Sequence, residues 1–155
     1  MGARASGDYL VLAVASGGGH WEELMLLKSA FAPFRTIYAT TNQELAVRDA
    51  IADVRVLPDS HRDVPLRALS SFWHCVRLVL HLRPQMVVTT GALPGLFCLI
   101  AAKLVGARTV WIDSIAASDK PSLSGKCARP FADLRLTQWS HLAGVDGFRY
   151  QGALL

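Results

Sequence analysis

The chain has 155 residues, the size of one domain, and 52% of them are apolar while 18% are charged. This composition supports a buried core and excludes an intrinsically disordered chain. Sixteen Lys and Arg against twelve Asp and Glu give a net charge of +4, and the cations are spread along the chain. The spread argues against a nucleic-acid partner and for phosphates or acidic lipid headgroups.

The predicted elements alternate between strand and helix. Tyr9–Ala15 is a continuous apolar run, typical of a strand buried on both faces. A glycine-rich turn separates it from a predicted helix over residues 21–31. The further predicted strands are 36–39, 54–57, 86–89, 109–112 and 134–137, and the further helices are 43–52, 65–82, 95–105 and 127–133. This alternation requires right-handed βαβ crossovers, so we predict one Rossmann-like α/β domain over residues 1–155, with a mainly parallel sheet and a flexible N-terminus over residues 1–8.

Targeting and metal signals are few. Residues 1–6, MGARAS, match the pattern for N-terminal acylation. Residues 84–102 are uncharged and about as long as a membrane-spanning helix, but the turn TTGALPG divides them, so we predict no spanning segment. The three cysteines show no metal-ligand spacing, which indicates a reducing compartment and no metal site.

Polar or glycine-rich segments follow the predicted strands, at the edge where parallel α/β sheets bind ligands. They are residues 16–20, 40–42, 89–95, 113–126 and 138–139. Loops lie at that edge in every α/β domain, but the glycine content and the length of the fourth loop indicate a ligand site. The residues predicted to bind substrate or phosphate are Ser16, Gly17, Gly18, Gly19, Thr90, Gly91, Gly95, Ser114 and Gln138.

The turn S-G-G-G-H after the first strand is the sharpest local signal. Its glycines allow close backbone approach, and the following helix N-terminus offers unpaired N–H groups, a combination typical of a phosphate cradle. The alternative is a tight turn that only needs small residues. Dinucleotide and Walker patterns both fail, because Glu22 and Lys120 stand where each requires glycine.

His20 lies in the first turn of that helix. The helix dipole there disfavours imidazolium, so a neutral ring that accepts a proton is a candidate catalytic base. A capping or surface histidine is the alternative.

Five motifs together carry a family resemblance: A-S-G-G-G-H-W-E-E-L, V-V-T-T-G-A-L-P-G, W-I-D-S-I-A, S-L-S-G-K and L-T-Q-W. In content and order they resemble the oligosaccharide-biosynthesis family that includes the membrane-recruiting subunit of the two-chain dolichol-linked GlcNAc transferase. Bacterial exopolysaccharide subunits of the PssD type belong to the same group. The likeness runs from about Tyr9 to the C-terminus.

The resemblance implies the N-terminal, acceptor-side half of a GT-B glycosyltransferase. A small catalytic partner would supply the C-terminal half, and a sugar would pass from a UDP-sugar to a polyprenyl-diphosphate-linked acceptor. No cofactor is implied, since the UDP-sugar is a co-substrate. The chain would be active only together with its partner. It would bind peripherally to the cytoplasmic face of the membrane. A non-catalytic membrane scaffold that recruits a soluble transferase, or a stand-alone homodimeric phosphosugar or nucleotide-binding enzyme, remains an alternative.

Asp113 is the second catalytic candidate. Members of the family it resembles often carry Glu in the segment W-I-D-S. Asp113 keeps the carboxylate, but its side chain is one methylene shorter. The alternative is that Asp113 caps the following segment.

The helix over 65–82 is the candidate membrane surface. Phe72 and Trp73 stand beside Arg67 and Arg77, a pattern typical of helices that lie on anionic membranes. Leu66, Leu69, Trp73, Val76 and Leu80 lie on one stripe of this helix. The alternative is that its apolar residues pack on the sheet; they include Leu69, Phe72, Trp73, Val76, Val79 and Leu80.

Overall fold

The computed structural model describes residues 8–59 and 65–155. The acylation pattern and nearly all of the predicted flexible N-terminus lie outside the described residues. Within them, seven strands form one sheet in the order β3-β2-β1-β4-β5-β6-β7, with every neighbouring pair parallel. This arrangement confirms the predicted Rossmann-like α/β fold.

The bounds of the elements are as follows. The strands are β1 Leu10–Ala15, β2 Arg35–Thr40, β3 Val54–Val56, β4 Met86–Thr89, β5 Arg108–Ile112, β6 Leu134–Thr137 and β7 Arg149–Tyr150. The helices are α1 Gly19–Leu26, α2 Lys28–Phe31, α3 Gln43–Arg48, α4 Pro65–Leu82, α5 Ala92–Leu104 and α6 Leu123–Cys127. Two short 3-10 turns, Ser140–Leu142 and Val145–Gly147, lead from β6 to β7.

The core lies on both faces of the sheet, and β1 runs through its centre. All six residues of β1 are buried, as predicted. Because side chains alternate along a strand, Leu12 and Val14 face a cluster with α4 and α5, while Val11 and Ala13 face a cluster with α1 and α3. The sheet is therefore covered on both sides, and its strand ends are left to form a site.

Several predicted helix bounds differ from those of the structure. The predicted helix over residues 21–31 divides at Leu27 into α1 and α2, and the predicted helix over residues 43–52 ends at Arg48 as α3. α5 begins at Ala92, three residues earlier than predicted, because Gly91 forms its N-cap and a proline is tolerated in the first turn. The predicted helix 127–133 was wrong, since α6 ends at Cys127. β7 and the 3-10 turns were not predicted.

Helix α4 has the predicted bounds, but its apolar stripe is turned differently. Cys75, Val76 and Val79 face the core, whereas Leu66 is 79% exposed and Trp73 is 56% exposed. Leu69 and Leu80 are exposed as well, so of the predicted stripe only Val76 is buried. Most of the stripe therefore faces outwards rather than towards the sheet.

No helix in the part of the chain that the structure describes is long and apolar enough to cross a membrane.

Candidate functional site

A cleft lies where the carboxyl ends of the central strands meet. Its middle, which we call the central cavity, has a volume of about 190 Å³ and is lined by His20, Gly91, Asp113, Ser114 and Ser122, among others. A loop cavity of about 420 Å³ shares His20, Ser114 and Ser122 with it and extends along residues 116–121. A glycine cavity of about 440 Å³ lies at the ends of β1 and β2. The structure thus brings segments that follow four predicted strands to one edge.

The glycine cavity contains the predicted phosphate cradle. Ser16, Gly17 and Gly18 line it together with Thr41 and Asn42. The Gly17 amide donates to Thr41 Oγ1 at 2.9 Å. Gly18 is the N-cap of α1, with φ +78° and no side-chain cap, and Gly19 is exposed. Within residues 8–59 and 65–155, the amides at positions 18, 19 and 20 donate to no acceptor, so they can receive an anion.

His20 is held by two reciprocal hydrogen bonds to Thr90. The ring Nδ1 lies 2.9 Å from the Thr90 carbonyl oxygen, and Thr90 Oγ1 donates to the His20 carbonyl at 2.6 Å. Because a carbonyl oxygen only accepts, Nδ1 carries a proton. In the neutral ring Nε2 therefore has the free lone pair, and it is the atom that can accept a proton.

Two predicted phosphate-binding glycines have steric roles. A Cβ atom at Gly91 would lie 2.7 Å from His20 Cε1, so the ring fits only against a glycine there. Gly95 is buried in α5, and its Cβ would lie 2.0 Å from Thr89 Oγ1. Packing explains both positions, and the hydroxyl of Thr90 is likewise occupied by His20. The predicted phosphate contacts of these three residues find no support in the geometry.

Asp113 is a structural anchor rather than an open base. Its carboxylate is 2% exposed and accepts hydrogen bonds from Trp111 Nε1 at 3.1 Å, from the Ser122 amide at 2.8 Å and from Ser122 Oγ at 2.5 Å. Ser122 in turn caps α6 by accepting from the Gly125 amide at 2.9 Å. The carboxylate is buried and already binds three donors, so the geometry favours the capping alternative over the predicted catalytic role.

Glu23 is a site residue that sequence reasoning missed. It is 5% exposed, and its carboxylate accepts from Ser114 Oγ at 2.7 Å, the Ile115 amide at 3.2 Å and Gln138 Nε2 at 3.0 Å. Ser114 and Gln138, both predicted to bind substrate, are thus partners of Glu23. The available signal was its position, one turn after His20 on the same face of α1 and next to the buried Leu24.

The predicted membrane residues do not share one face. Arg67, Trp73 and Arg77 are exposed on α4. Phe72 is partly buried and packs edge-to-face on Phe97, with ring centroids 5.4 Å apart, so it belongs to the α4–α5 contact.

The family model described as "Oligosaccharide biosynthesis protein Alg14 like" matches residues 33–154. The chain belongs to this Alg14-like family. The matched range begins after the glycine turn, so His20 precedes the part of the chain that matches the family model.

Curated relatives agree with that assignment. The Alg14-like chain is 25% identical over 165 residues to the UDP-N-acetylglucosamine transferase subunit ALG14 of Yarrowia lipolytica, with 89% of this chain and 76% of that protein covered. It is 40% identical over 75 residues to the subunit of the same name from Eremothecium gossypii, which covers 43% of this chain and 33% of that protein.

Solved structures share the fold. MurG of Acinetobacter baumannii superposes with a TM-score of 0.73 at 13% identity, covering 92% of the Alg14-like chain and 45% of MurG. A glycosyltransferase of Rickettsia africae gives 0.63 at 13% identity, covering 91% of this chain and 40% of the other. The Alg14-like chain therefore spans less than half the length of these enzymes. At such identities the likeness shows the fold alone, a Rossmann-like unit of the GT-B kind.

Proposed function

We propose that this chain is a subunit of a two-chain glycosyltransferase that transfers a sugar from a UDP-sugar to a polyprenyl-diphosphate-linked acceptor. The observation that carries the proposal is that, among the described residues, amides without an acceptor at the start of α1 stand beside a histidine whose Nδ1 is bound to a carbonyl, which leaves the Nε2 lone pair to accept a proton. The names of the relatives favour N-acetylglucosamine as the sugar. The UDP-sugar is a co-substrate, and no further cofactor takes part.

In this proposal the glycine cavity holds the diphosphate of the acceptor. Gly18 lines this cavity, the amides at positions 18–20 have no acceptor among the described residues, and the dipole of α1 favours negative charge at that end. The N-terminus of α5 lies at the same edge, since Ala92 and Pro94 line the glycine cavity. Two helix N-termini therefore face one anionic group.

His20 then acts on the acceptor hydroxyl. Nε2 takes its proton while the hydroxyl oxygen forms a bond to C1 of the sugar and the bond from C1 to the UDP oxygen breaks. The Nδ1 hydrogen bond to the Thr90 carbonyl fixes the tautomer that this step needs. In this proposal Asp113, whose buried carboxylate binds three donors, holds the cap of α6 and does not act as the base.

The proposed partner is a small catalytic subunit with the C-terminal GT-B half. The curated relatives are named as subunits of a transferase, and more than half of MurG and of the Rickettsia glycosyltransferase lies outside the matched unit. A second Rossmann-like unit would close the cleft and contribute most of the contacts to the UDP-sugar. We expect the chain alone to be inactive.

The proposed location is peripheral, on the cytoplasmic face of the membrane. The exposed side of α4 carries Leu66, Leu69 and Trp73 beside Arg67 and Arg77, which combines apolar contact with positive charge. This surface, rather than Phe72, would meet anionic lipid.

The test is reconstitution with the partner subunit. Transfer of radiolabelled N-acetylglucosamine from its UDP conjugate to a polyprenyl-diphosphate-linked acceptor is measured for the chain alone, the pair, and pairs with His20→Ala or His74→Ala. We expect no transfer by the chain alone and turnover by the pair. His20→Ala should lower turnover by about 10²–10⁴-fold, the range for general bases. The matched control is His74, an exposed histidine on α4 whose Nδ1 also meets a backbone carbonyl, at 2.8 Å.

Each alternative has its own outcome in that assay. Transfer by the chain alone would favour the homodimeric enzyme. A pair that assembles and is unaffected by His20→Ala would favour the scaffold, and a drop of only a few fold would make His20 a positioning residue.

A further inference from the structure

A buried carboxylate joins three of the segments that build the cleft. Glu23, on α1, binds Ser114 and Ile115 after β5 through Oε1 and Gln138 after β6 through Oε2. These partners are 91, 92 and 115 residues away in sequence. We call this set of three hydrogen bonds the Glu23 tie.

The Glu23 tie requires a carboxylate. All three partners donate, and an ionised carboxylate is the side chain that accepts on both oxygens. Within residues 8–59 and 65–155 no Lys, Arg or His lies within ion-pair distance of Glu23. Gln138 cannot rotate its amide freely, because Nε2 also donates to the Asp113 carbonyl at 3.1 Å and Oε1 accepts from the Leu154 amide at 3.1 Å.

Glu23 differs from Asp113 in what its carboxylate holds: Glu23 binds Ser114, which lines the central cavity, and Gln138, whereas Asp113 binds the cap of α6. Burying a carboxylate costs desolvation free energy, which the three hydrogen bonds of the Glu23 tie offset. The carboxylate fixes the positions of three donor groups, because each donor must lie at hydrogen-bond distance from one of its two oxygens. Ser114, one of the two residues so fixed after β5, lines the central cavity together with His20.

We propose that Glu23 is a positioning residue of the transfer reaction. His20 and Glu23 stand one turn apart on the same face of α1, so the Glu23 tie sets the distance between the His20 ring and the Ser114 wall of the cavity. Glu23 acts through Ser114 and Gln138 and does not touch substrate. This inference rests on the proposed function.

Glu23→Gln tests it, because the substitution keeps the size and loses the charge. If the new amide nitrogen takes the place of Oε1, it faces the Ser114 and Ile115 donors. If it takes the place of Oε2, it faces Gln138 Nε2, which also donates. Hydrogen exchange at the Ile115 amide reports the tie directly in the isolated chain. We expect exchange there to rise at least 10-fold, and kcat of the complex to fall about 10²-fold with KM for the acceptor nearly unchanged, as for small misplacements in an active site.

Glu22→Gln is the matched control. Glu22 is the preceding residue, 55% exposed, and pairs with Arg48 at 2.9 Å on the surface. The Glu22→Gln variant should have the same rate of hydrogen exchange at the Ile115 amide and the same kcat as the parent. Because Ser114 is held by Glu23, Ser114→Ala should lower kcat much less in the Glu23→Gln background than in the parent.

Three results would overturn the positioning role: an unchanged kcat in Glu23→Gln, a loss of activity that only follows the unfolded fraction, or additive effects of the two substitutions. If the parent complex shows no turnover, the proposed function fails and the positioning role fails with it. The tie is judged separately, since unchanged exchange at Ile115 would refute it whatever the activity.

Discussion

The orientation of the His20 ring is decided by residues of the loop after β4. Thr90 donates to the His20 carbonyl and accepts from the ring, so one residue binds both ends of the histidine. Gly91 leaves the space that the ring occupies. Its backbone, with φ +132° and ψ −170°, lies in a region that is essentially restricted to glycine. The loop after β4 therefore fixes the direction of Nε2.

Gly91→Ala should disturb this arrangement twice over. The strained backbone should cost roughly 1–3 kcal/mol of unfolding free energy, and the new Cβ should displace the ring from the Thr90 carbonyl. Urea denaturation measures the first effect, and the imidazole ¹⁵N shifts, which report the tautomer, measure the second.

Gly106→Ala is the control for backbone strain alone. Gly106 has φ +69°, and in residues 8–59 and 65–155 no atom beyond its immediate neighbours lies within 4 Å of where its Cβ would stand. The variant should lose some stability and keep the His20 tautomer. The same ¹⁵N shifts in both variants would show that the ring does not depend on Gly91.

At the scale of the element, α6 depends on a carboxylate outside it. Asp113 binds both the amide and the hydroxyl of Ser122, the residue that caps α6. A helix of five residues has little stability of its own, so its position is set by this cap.

Asp113→Asn should therefore lower stability rather than act on chemistry alone. An amide in place of the carboxylate sets a donor against Trp111 Nε1 or Ser122, and we expect a loss of about 1.5–3 kcal/mol, typical of hydrogen bonds to charged groups. Asp119→Asn, in the exposed part of the same loop, serves as the control in denaturant unfolding. Parent-like stability combined with lost turnover would restore Asp113 as a catalytic residue.

The exposed face of α4 makes the second prediction at this scale. Arg67→Glu together with Arg77→Glu should weaken binding to anionic vesicles, since each surface cation contributes about 1 kcal/mol. Trp73→Ser should weaken binding to neutral and anionic vesicles alike, because it removes apolar contact.

Sedimentation with phosphatidylcholine vesicles, with and without phosphatidylglycerol, separates these terms. Arg108→Glu, at the start of β5, is the charge control and should bind as the parent does. Equal binding of the parent to both kinds of vesicle would refute the electrostatic contribution.

At the scale of the whole molecule, Asp133 links α5 to the sheet. Its carboxylate pairs with Lys103 Nζ at 2.5 Å and accepts from the Thr109 amide at 2.9 Å. Lys103, and after it the Thr109 hydrogen bonds, hold the pKa of Asp133 below its usual range. Because the pKa is lower in the folded chain, the stabilisation is present above the ordinary carboxyl pKa of about 4 and is lost as pH falls through the folded pKa.

Asp133→Asn should therefore lower stability at pH 7 and flatten its decline between about pH 5 and pH 2. The effect should be small, since the Asp133 side chain is half exposed and water screens the pair. Lys103→Met should flatten the decline less, because the Thr109 hydrogen bonds remain. Unfolding curves in urea at several pH values measure both, and parallel curves for parent and Asp133→Asn would contradict the prediction.

The sequence by itself determined the alternation of elements, the burial of β1 and the bounds of α4. These depend on local periodicity, which is 2 residues in a strand and 3.6 in a helix and can be counted along the chain. It also predicted the edge of the sheet at which the candidate cleft lies, because parallel strands place their carboxyl ends together. The glycine turn and His20 could be recognised in the sequence because they belong to one short segment.

Only the tertiary structure decided which polar groups meet. The groups that donate to Glu23 follow strands that the crossover connections place beside α1. No local sequence pattern pairs residues that are 91 to 115 positions apart. For Asp113 the sequence left a catalytic role and a capping role open, and the structure shows its carboxylate bound to Ser122, nine residues further on. The direction of the α4 stripe also depended on the packing of α5 against α4, since one amphipathic pattern permits several rotations of a helix about its axis. Local spacing fixes what each segment forms, and the packing of distant segments fixes what each side chain does.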